Sequence, residues 1–295
     1  MPASVAGNLL ASRKVPCQRS AMKRWKRLTA LAMTLGAAMA HGGDFIRVDE
    51  DERESRLQTA VASYERGDVK VDLIGAVHIA DEAYYRELNE MLKGYECVLF
   101  EMIGGERLGE RAPVKEQAAG DAEASALTKA YDKAARFLSL TGQMDHIDYT
   151  ARNFIHADLT AAEFQTKQAE RKETLLRFMV KAALVEQDPK SQPNSFRLLK
   201  AFVARDPDLV KLEIVGSLGA GDDQVAMFTG ETVIIDDRNQ RCMEVLEREI
   251  ADGKRKLGIF YGAAHFPDME ERLVERGFKA TNTAWRTAWK IRKPE

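Results

Sequence analysis

Val71 to Met102 reads VDLIGAVHIADEAYYRELNEMLKGYECVLFEM, and its pattern decides the fold class. An apolar run, Val71, Leu73 and Ile74, ends in Gly75-Ala76-Val77-His78. From Asp81 the apolar residues Tyr84, Leu88, Met91 and Leu92 recur at helical spacing, and Gly94 stops the helix. A second apolar run, Cys97 to Phe100, ends in Glu101. Strand, helix and parallel strand follow, with a His and a Glu at the two strand ends, where ligands bind in open α/β sheets. The strand ending in Glu101 is expected to neighbour the first.

The same design returns near the C-terminus. Leu257 to Tyr261 is an apolar run, and Gly262-Ala263-Ala264-His265-Phe266-Pro267-Asp268 repeats the Gly-Ala-x-His-x-x-Asp pattern before a helix. One such tetrad says little; two in equivalent strand-to-helix contexts point to a shared site. Gly75 and Gly262 are expected to let the backbone leave the strand sharply, Ala76 and Ala263 to leave room beside it, and Asp81 and Asp268 to cap the helices.

Working outward, Leu57 to Tyr64 and Val69 to Leu73 form a hairpin pattern around Gly67-Asp68. Arg107 to Gly120 is charged and small-residue-rich, the composition of a mobile loop. From Ala122 to about Val215 the pattern is helical, a large insertion expected to cover the strand ends; Thr160 to Glu163 reads as a capping box, and Pro193 and Pro207 as helix starts. Gly216 to Gly221 lacks both P-loop and dinucleotide-loop spacing and reads as a connector. Thr232 to Ile235 is a short strand before a helix carrying Arg238. Lys279 to Ile291 alternates as a closing strand with Trp285 and Trp289 on one inward face. The fold expected is α/β: a mixed central sheet with flanking helices and the helical insertion.

The first 40 residues read as an extension plus a secretory signal: basic Lys23, Arg24, Lys26 and Arg27, an apolar run from Leu28, and Ala38-Met39-Ala40 as cleavage site. The apolar run falls short of the ~20 residues a spanning helix needs. Residues 41–295 form the remaining domain, in a periplasmic or secreted location. Losing seven basic residues and no acids takes the formal charge from −2 to −9, a poor match for nucleic acid or an anionic membrane surface. Cys97 and Cys242 read as buried free thiols rather than a disulfide framework.

Chemically, His78 and His265 with Glu101 suit a divalent metal with an open position, and equally a general base, an acid and an orienting group. Arg238 is a further candidate, at a helix start where the dipole opposes a cation. Asp145-His146-Ile147-Asp148 and His156-Ala157-Asp158 offer loose metal-like pairs whose simpler reading is helix capping and space filling. There is no H-E-x-x-H, G-x-S-x-G, C-x-x-C or P-loop.

GAVHI, LFEM, the Arg238-Asn239 pair and GAAHF, in that order, resemble the TraB/GumN/TIKI family within the erythromycin-esterase-like and haem-binding-lipoprotein superfamily, over about Leu57 to Ile291. The resemblance implies an α/β sheet with a helical insertion and, for TIKI-like members, a metal-dependent protease. Carried onto matching positions, that gives His78, Glu101 and His265 as ligands of manganese or cobalt, with Arg238 beside them; zinc is a further candidate divalent ion for this donor set. A peptide or small-molecule hydrolase is therefore expected. A metal-free esterase-like hydrolase and a non-enzymatic haem or metal binder are the alternatives.

Overall fold

The computed structural model describes residues 45–105, 133, 135–171, 195–218 and 235–294 of this chain, all within the compact unit Gly42–Glu295. The stretch expected to be a signal, the Arg107 to Gly120 stretch, the pattern before residue 133, the expected helix start at Pro193, Gly219 to Gly221 and Thr232 to Ile234 lie outside them.

The described strands are β1 (Ile46–Glu50), β2 (Glu54–Arg66), β3 (Val69–Ala76), β4 (Ile79–Ala80), β5 (Cys97–Phe100), β6 (Thr141–Gly142), β7 (Phe154–His156), β8 (Lys256–Gly262) and β9 (Lys279–Arg292). The helices are α1 (Glu82–Leu92), α2 (Gln143–His146), α3 (Ala161–Arg171), α4 (Ser195–Ala204), α5 (Pro207–Leu218), α6 (Asp236–Ala251) and α7 (Phe266–Glu275). A seven-stranded mixed sheet is the centre of the molecule. Antiparallel β2 is long enough to carry β1 on Ser55–Thr59 and β3 on Val61–Arg66 along one edge, and β9 along the other. Beyond β3 the sheet runs parallel in the order β3, β8, β5, β7.

That order corrects one expectation. β8, not β5, is the direct neighbour of β3, with Ala76 opposite Gly262, so the two Gly-Ala-x-His segments leave the sheet side by side. β8 is apolar on both faces: Leu257, Ile259 and Tyr261 join the core under α6 and α7, whereas Phe260 joins the core under α1. A strand buried on both faces belongs inside a parallel sheet.

α1 covers one face with Tyr84, Tyr85, Leu88 and Leu92 against Ile74, Val98 and Phe260. α6 and α7 cover the other with Cys242, Met243, Leu246, Phe266, Met269 and Leu273 against Val71, Leu73, Leu99 and Ile259. Helices on both faces of a largely parallel sheet give a three-layer α/β architecture. Among the described residues no helix is long and apolar enough to cross a membrane. Cys97 and Cys242 are both buried and free.

Several local expectations change for physical reasons. The segment between β5 and β8 is not purely helical: Phe154–His156 pairs in parallel with β5 as an edge strand, and Thr141–Gly142 pairs with Ile79–Ala80 just past His78. The capping box holds, with Thr160 Oγ1 accepting from Glu163 N–H at 3.1 Å and Glu163 Oε2 accepting from Thr160 N–H at 2.9 Å. Gly216 to Leu218 continue α5 instead of forming a connector. Register shifts in the β2/β9 ladder, one of them at Leu57/Gln58, turn Trp289 into the α1-side core while Trp285 packs against the opposite one, so the two indoles do not share a face. Asp81 occupies the N-cap position of α1 without capping it; its Oδ2 instead accepts from Lys290 N–H at 2.8 Å, tying the helix start to β9.

The motif glycines act through space, not through an unusual backbone. Neither Gly75 nor Gly262 has a positive φ. A Cβ on Gly75 would lie 3.1 Å from the Ala60 carbonyl oxygen and 3.3 Å from Thr59 Cβ, both on β2. Gly75→Ala should therefore overpack the sheet and cost about 1 to 3 kcal/mol, read as a lower urea midpoint at unchanged slope. Wild-type stability in that variant would show that β2 yields freely.

Candidate active site

The four parallel strands deliver one polar side chain each just past their carboxyl ends: His78 after β3, His265 after β8, Glu101 after β5 and Asp158 after β7. Brought together there are Glu101, Arg238, His265 and Asp158. His78 is exposed on the neighbouring strand end, its carbonyl accepting from Gln143 N–H at 2.9 Å.

Arg238 is the third residue of α6 and is 6% exposed. Its Nε donates to Asp158 Oδ1 at 2.9 Å, and its Nη2 donates to Asp158 Oδ2 at 2.6 Å and to Glu101 Oε1 at 2.7 Å. The guanidinium fork matches a carboxylate bidentately, which a lysine could not do. Burial would weaken the charge on Arg238, but the two carboxylates outweigh it and raise its proton affinity above the ordinary value. Its dipole-opposed position at a helix start is thereby compensated. These bonds make Arg238 a fixed part of the site rather than an open substrate clamp.

Glu101 is held at both oxygens. Oε1 faces Arg238, and Oε2 accepts from Gly262 N–H at 2.6 Å. A Cβ on Gly262 would come within 3.3 Å of Oε2, so the second motif glycine admits the carboxylate. Burial pushes the Glu101 carboxyl up, yet the charge of Arg238 and the Gly262 amide hold it well below the usual carboxylate range.

His265 is buried, and its ring is oriented by Asn239, the residue after Arg238. Asn239 Nδ2 donates to the His265 carbonyl at 3.1 Å and to Asp268 Oδ2 at 2.7 Å, which leaves Oδ1 to face His265 Nδ1 at 2.6 Å. An amide oxygen can only accept, so the network assigns the neutral-ring proton to Nδ1. Nε2 is then a bare lone pair, 3.5 Å from Glu101 Oε1. Asp268, expected as a cap, anchors Asn239 and accepts from Arg272 Nε at 2.6 Å instead. Tyr261 stands edge-on to the imidazole at 5.2 Å and donates to the Ala157 carbonyl at 2.6 Å, joining the β8 end to the segment carrying Asp158.

The remaining described histidines, His146 and His156, have structural partners. His146 Nε2 bonds Thr141 Oγ1 at 2.6 Å and stacks on Tyr85; His156 Nε2 donates to the Met102 carbonyl at 2.7 Å, bracing the turn after Glu101. Asp158 is the residue the sequence reading passed over as a cap. The available signal was Phe154-Ile155-His156-Ala157-Asp158, a short stretch broken by His156 and ending in an acid as LFE does, of which only three residues form strand. Asn239 stands out in the sequence only through its pairing with Arg238.

The donor set in this arrangement does not fit a divalent ion. Both Glu101 oxygens and both Asp158 oxygens are engaged, His265 Nδ1 is bound, and a guanidinium already lies within hydrogen-bond distance of both carboxylates. A dication about 4 Å from Arg238 would meet a repulsion on the order of several kcal/mol at the effective dielectric of such sites. Among the described residues no three His, Cys, Asp or Glu side chains group to hold a metal. No protein-family model matches the chain, and no curated protein or solved structure matches it either.

The depressed Glu101 carboxyl links stability to pH. Its unfolded value is near 4.3; the folded value is lower, so its stabilisation is full above the unfolded value and is lost as pH falls through the folded one. Urea unfolding from pH 6 downward should show wild type losing stability below about pH 4.5 more steeply than Glu101→Gln. Parallel pH profiles for the two proteins would contradict the assignment.

Proposed function

We infer that this chain is a hydrolase of acyl compounds, acting on a peptide or small-molecule ester or amide, with His265 as general base. The observation that carries the reading is the orientation of His265: Nδ1 is committed to Asn239 Oδ1 at 2.6 Å, which turns the basic Nε2 towards Glu101 Oε1 at 3.5 Å. A water bridging the two acceptors about 2.8 Å from each would donate one proton to each and present its lone pairs to the substrate. As the water oxygen bonds to the acyl carbon its proton passes to Nε2; the tetrahedral intermediate then collapses, the bond to the ester oxygen or amide nitrogen breaks, and the imidazolium returns that proton to the leaving alcohol or amine. Glu101, kept ionised by Arg238 and the Gly262 amide, stabilises the imidazolium, while Asn239 preserves the ring's orientation. His78, exposed on the adjacent strand end, is placed to meet the substrate.

The adjacency of the two Gly-Ala-x-His strands is what a metal-dependent peptidase reading of the TraB/GumN/TIKI resemblance would use, and export to the periplasm or medium accompanies either reading. Chelation separates them. Screened on p-nitrophenyl esters and a peptide library, wild type should hydrolyse a substrate at a rate unchanged by EDTA. His265→Ala should lower kcat/KM by about 10² or more, and Asn239→Ala should lower kcat with KM nearly unchanged. Activity that EDTA abolishes, or that survives His265→Ala at the wild-type rate, would overturn the proposal.

A further inference from the structure

We propose that Asp268 is a positioning residue that sets the tautomer of His265, acting through the side-chain amide of Asn239. The neutral imidazole has one ring proton and an acceptor at each nitrogen: Asn239 Oδ1 lies 2.6 Å from Nδ1, and Glu101 Oε1 lies 3.5 Å from Nε2. A carboxylate is the stronger acceptor of the two, so the proton stays on Nδ1 only while the amide presents its oxygen to the ring at the shorter range. That amide has two orientations. Turned over, Asn239 would set an N–H against Nδ1, and the ring proton would move to Nε2 and point at Glu101. The bare lone pair on Nε2 would be lost.

The other end of the amide forbids the second orientation. Asn239 Nδ2 donates to Asp268 Oδ2 at 2.7 Å and to the His265 carbonyl at 3.1 Å. Turning the amide would set an oxygen against both acceptors, of which Asp268 is the charged one and the costlier to oppose. The carboxylate is itself fixed: Arg272 Nε donates to the same Asp268 oxygen at 2.6 Å, and the other arms of Arg272 reach Asp236 and, at 2.8 Å, Gln240, both beside Asn239 on α6. His265 and Asp268 lie three residues apart at the start of α7, on one side of a helical turn, which gives the x-x-Asp of the motif its purpose. Asp81, the counterpart in the first copy, turns to β9 instead, its Oδ2 accepting from Lys290 N–H at 2.8 Å. The two copies thus differ: the second Asp governs a histidine's proton, and the first ties a helix to a strand. The tautomer follows from this geometry alone; its effect on turnover rests on the hydrolase reading.

The test uses the full chain labelled with nitrogen-15 on histidine and read by NMR, without substrate, at a pH where the ring is neutral; the His265 signals are those lost in His265→Ala. Wild type should carry the proton on Nδ1 and leave Nε2 bare. Asp268→Ala should move most of the ring to the Nε2-protonated form, and Asp81→Ala should leave the wild-type form. Asp268→Asn should also leave it, because Arg272 Nε, a donor, keeps the amide oxygen turned towards itself and Asn239. With an ester or peptide substrate, kcat should follow the Nδ1-protonated fraction; the expected tautomers in a chain without hydrolytic activity would support this inference and fail the hydrolase reading alone. Wild type protonated on Nε2, Asp268→Ala with wild-type signals, or an equal shift in Asp81→Ala or Asp268→Asn would overturn the proposal. Should Asp268→Ala not fold, Asp268→Ser, too short to reach the Asn239 amide, takes its place with the same expected shift. Failure of both to fold would also overturn it, since Asp268 would then hold the fold rather than the ring.

Discussion

A buried guanidinium held between two carboxylates is the constraint on which the site depends. Three charges removed from water are tolerated only when each hydrogen-bonding arm is met, and Arg238 meets this by reaching Asp158 on one strand end and Glu101 on the next. The requirement fixes the start of α6 against β7 and β5. Because Asn239 follows Arg238 in the same helical turn, fixing one residue fixes the other, and Asn239 in turn sets the imidazole of His265. Electrostatics, helix placement and the orientation of the basic nitrogen are thus one problem with one solution.

Sheet topology supplies the stage. In a parallel array every carboxyl end lies on the same side, so β3, β8, β5 and β7 present His78, His265, Glu101 and Asp158 in that spatial order although the chain visits them as 78, 101, 158 and 265. The late insertion of β8 between two earlier strands brings the repeated Gly-Ala-x-His segments into contact. It also demands small residues there: Gly75 lies under the β2 backbone, and Gly262 lends its amide and its empty Cβ position to Glu101.

Much of this was legible in the sequence, and the remainder was hidden for identifiable reasons. The strand-helix-strand unit, the hairpin around Gly67, the closing strand and the Thr160 capping box are written in local periodicity and turn chemistry, which short-range forces decide. His265, Glu101 and Arg238 stood out because each follows or begins an element at the ligand-binding end of an α/β sheet. Strand order was not legible, since alternation says which face a residue takes but not which strand lies beside it. β7 was missed because three extended residues inside a helical stretch carry no period. Asp158 was read as a cap because its real partner lies 80 residues away, and the β2/β9 irregularity that separates Trp285 from Trp289 has no sequence signature in an otherwise regular alternation.

The central claim, that Arg238 couples two carboxylates from different strands, is tested most directly by a double-mutant cycle in unfolding free energy on Glu101→Gln and Asp158→Asn. Their bonds to a shared Nη2 predict a coupling of about 1 to 3 kcal/mol between the two substitutions, well outside the ~0.5 kcal/mol scatter of independent sites. Strict additivity of the two single losses would contradict the account, because it would mean that Glu101 and Asp158 do not share the guanidinium in solution.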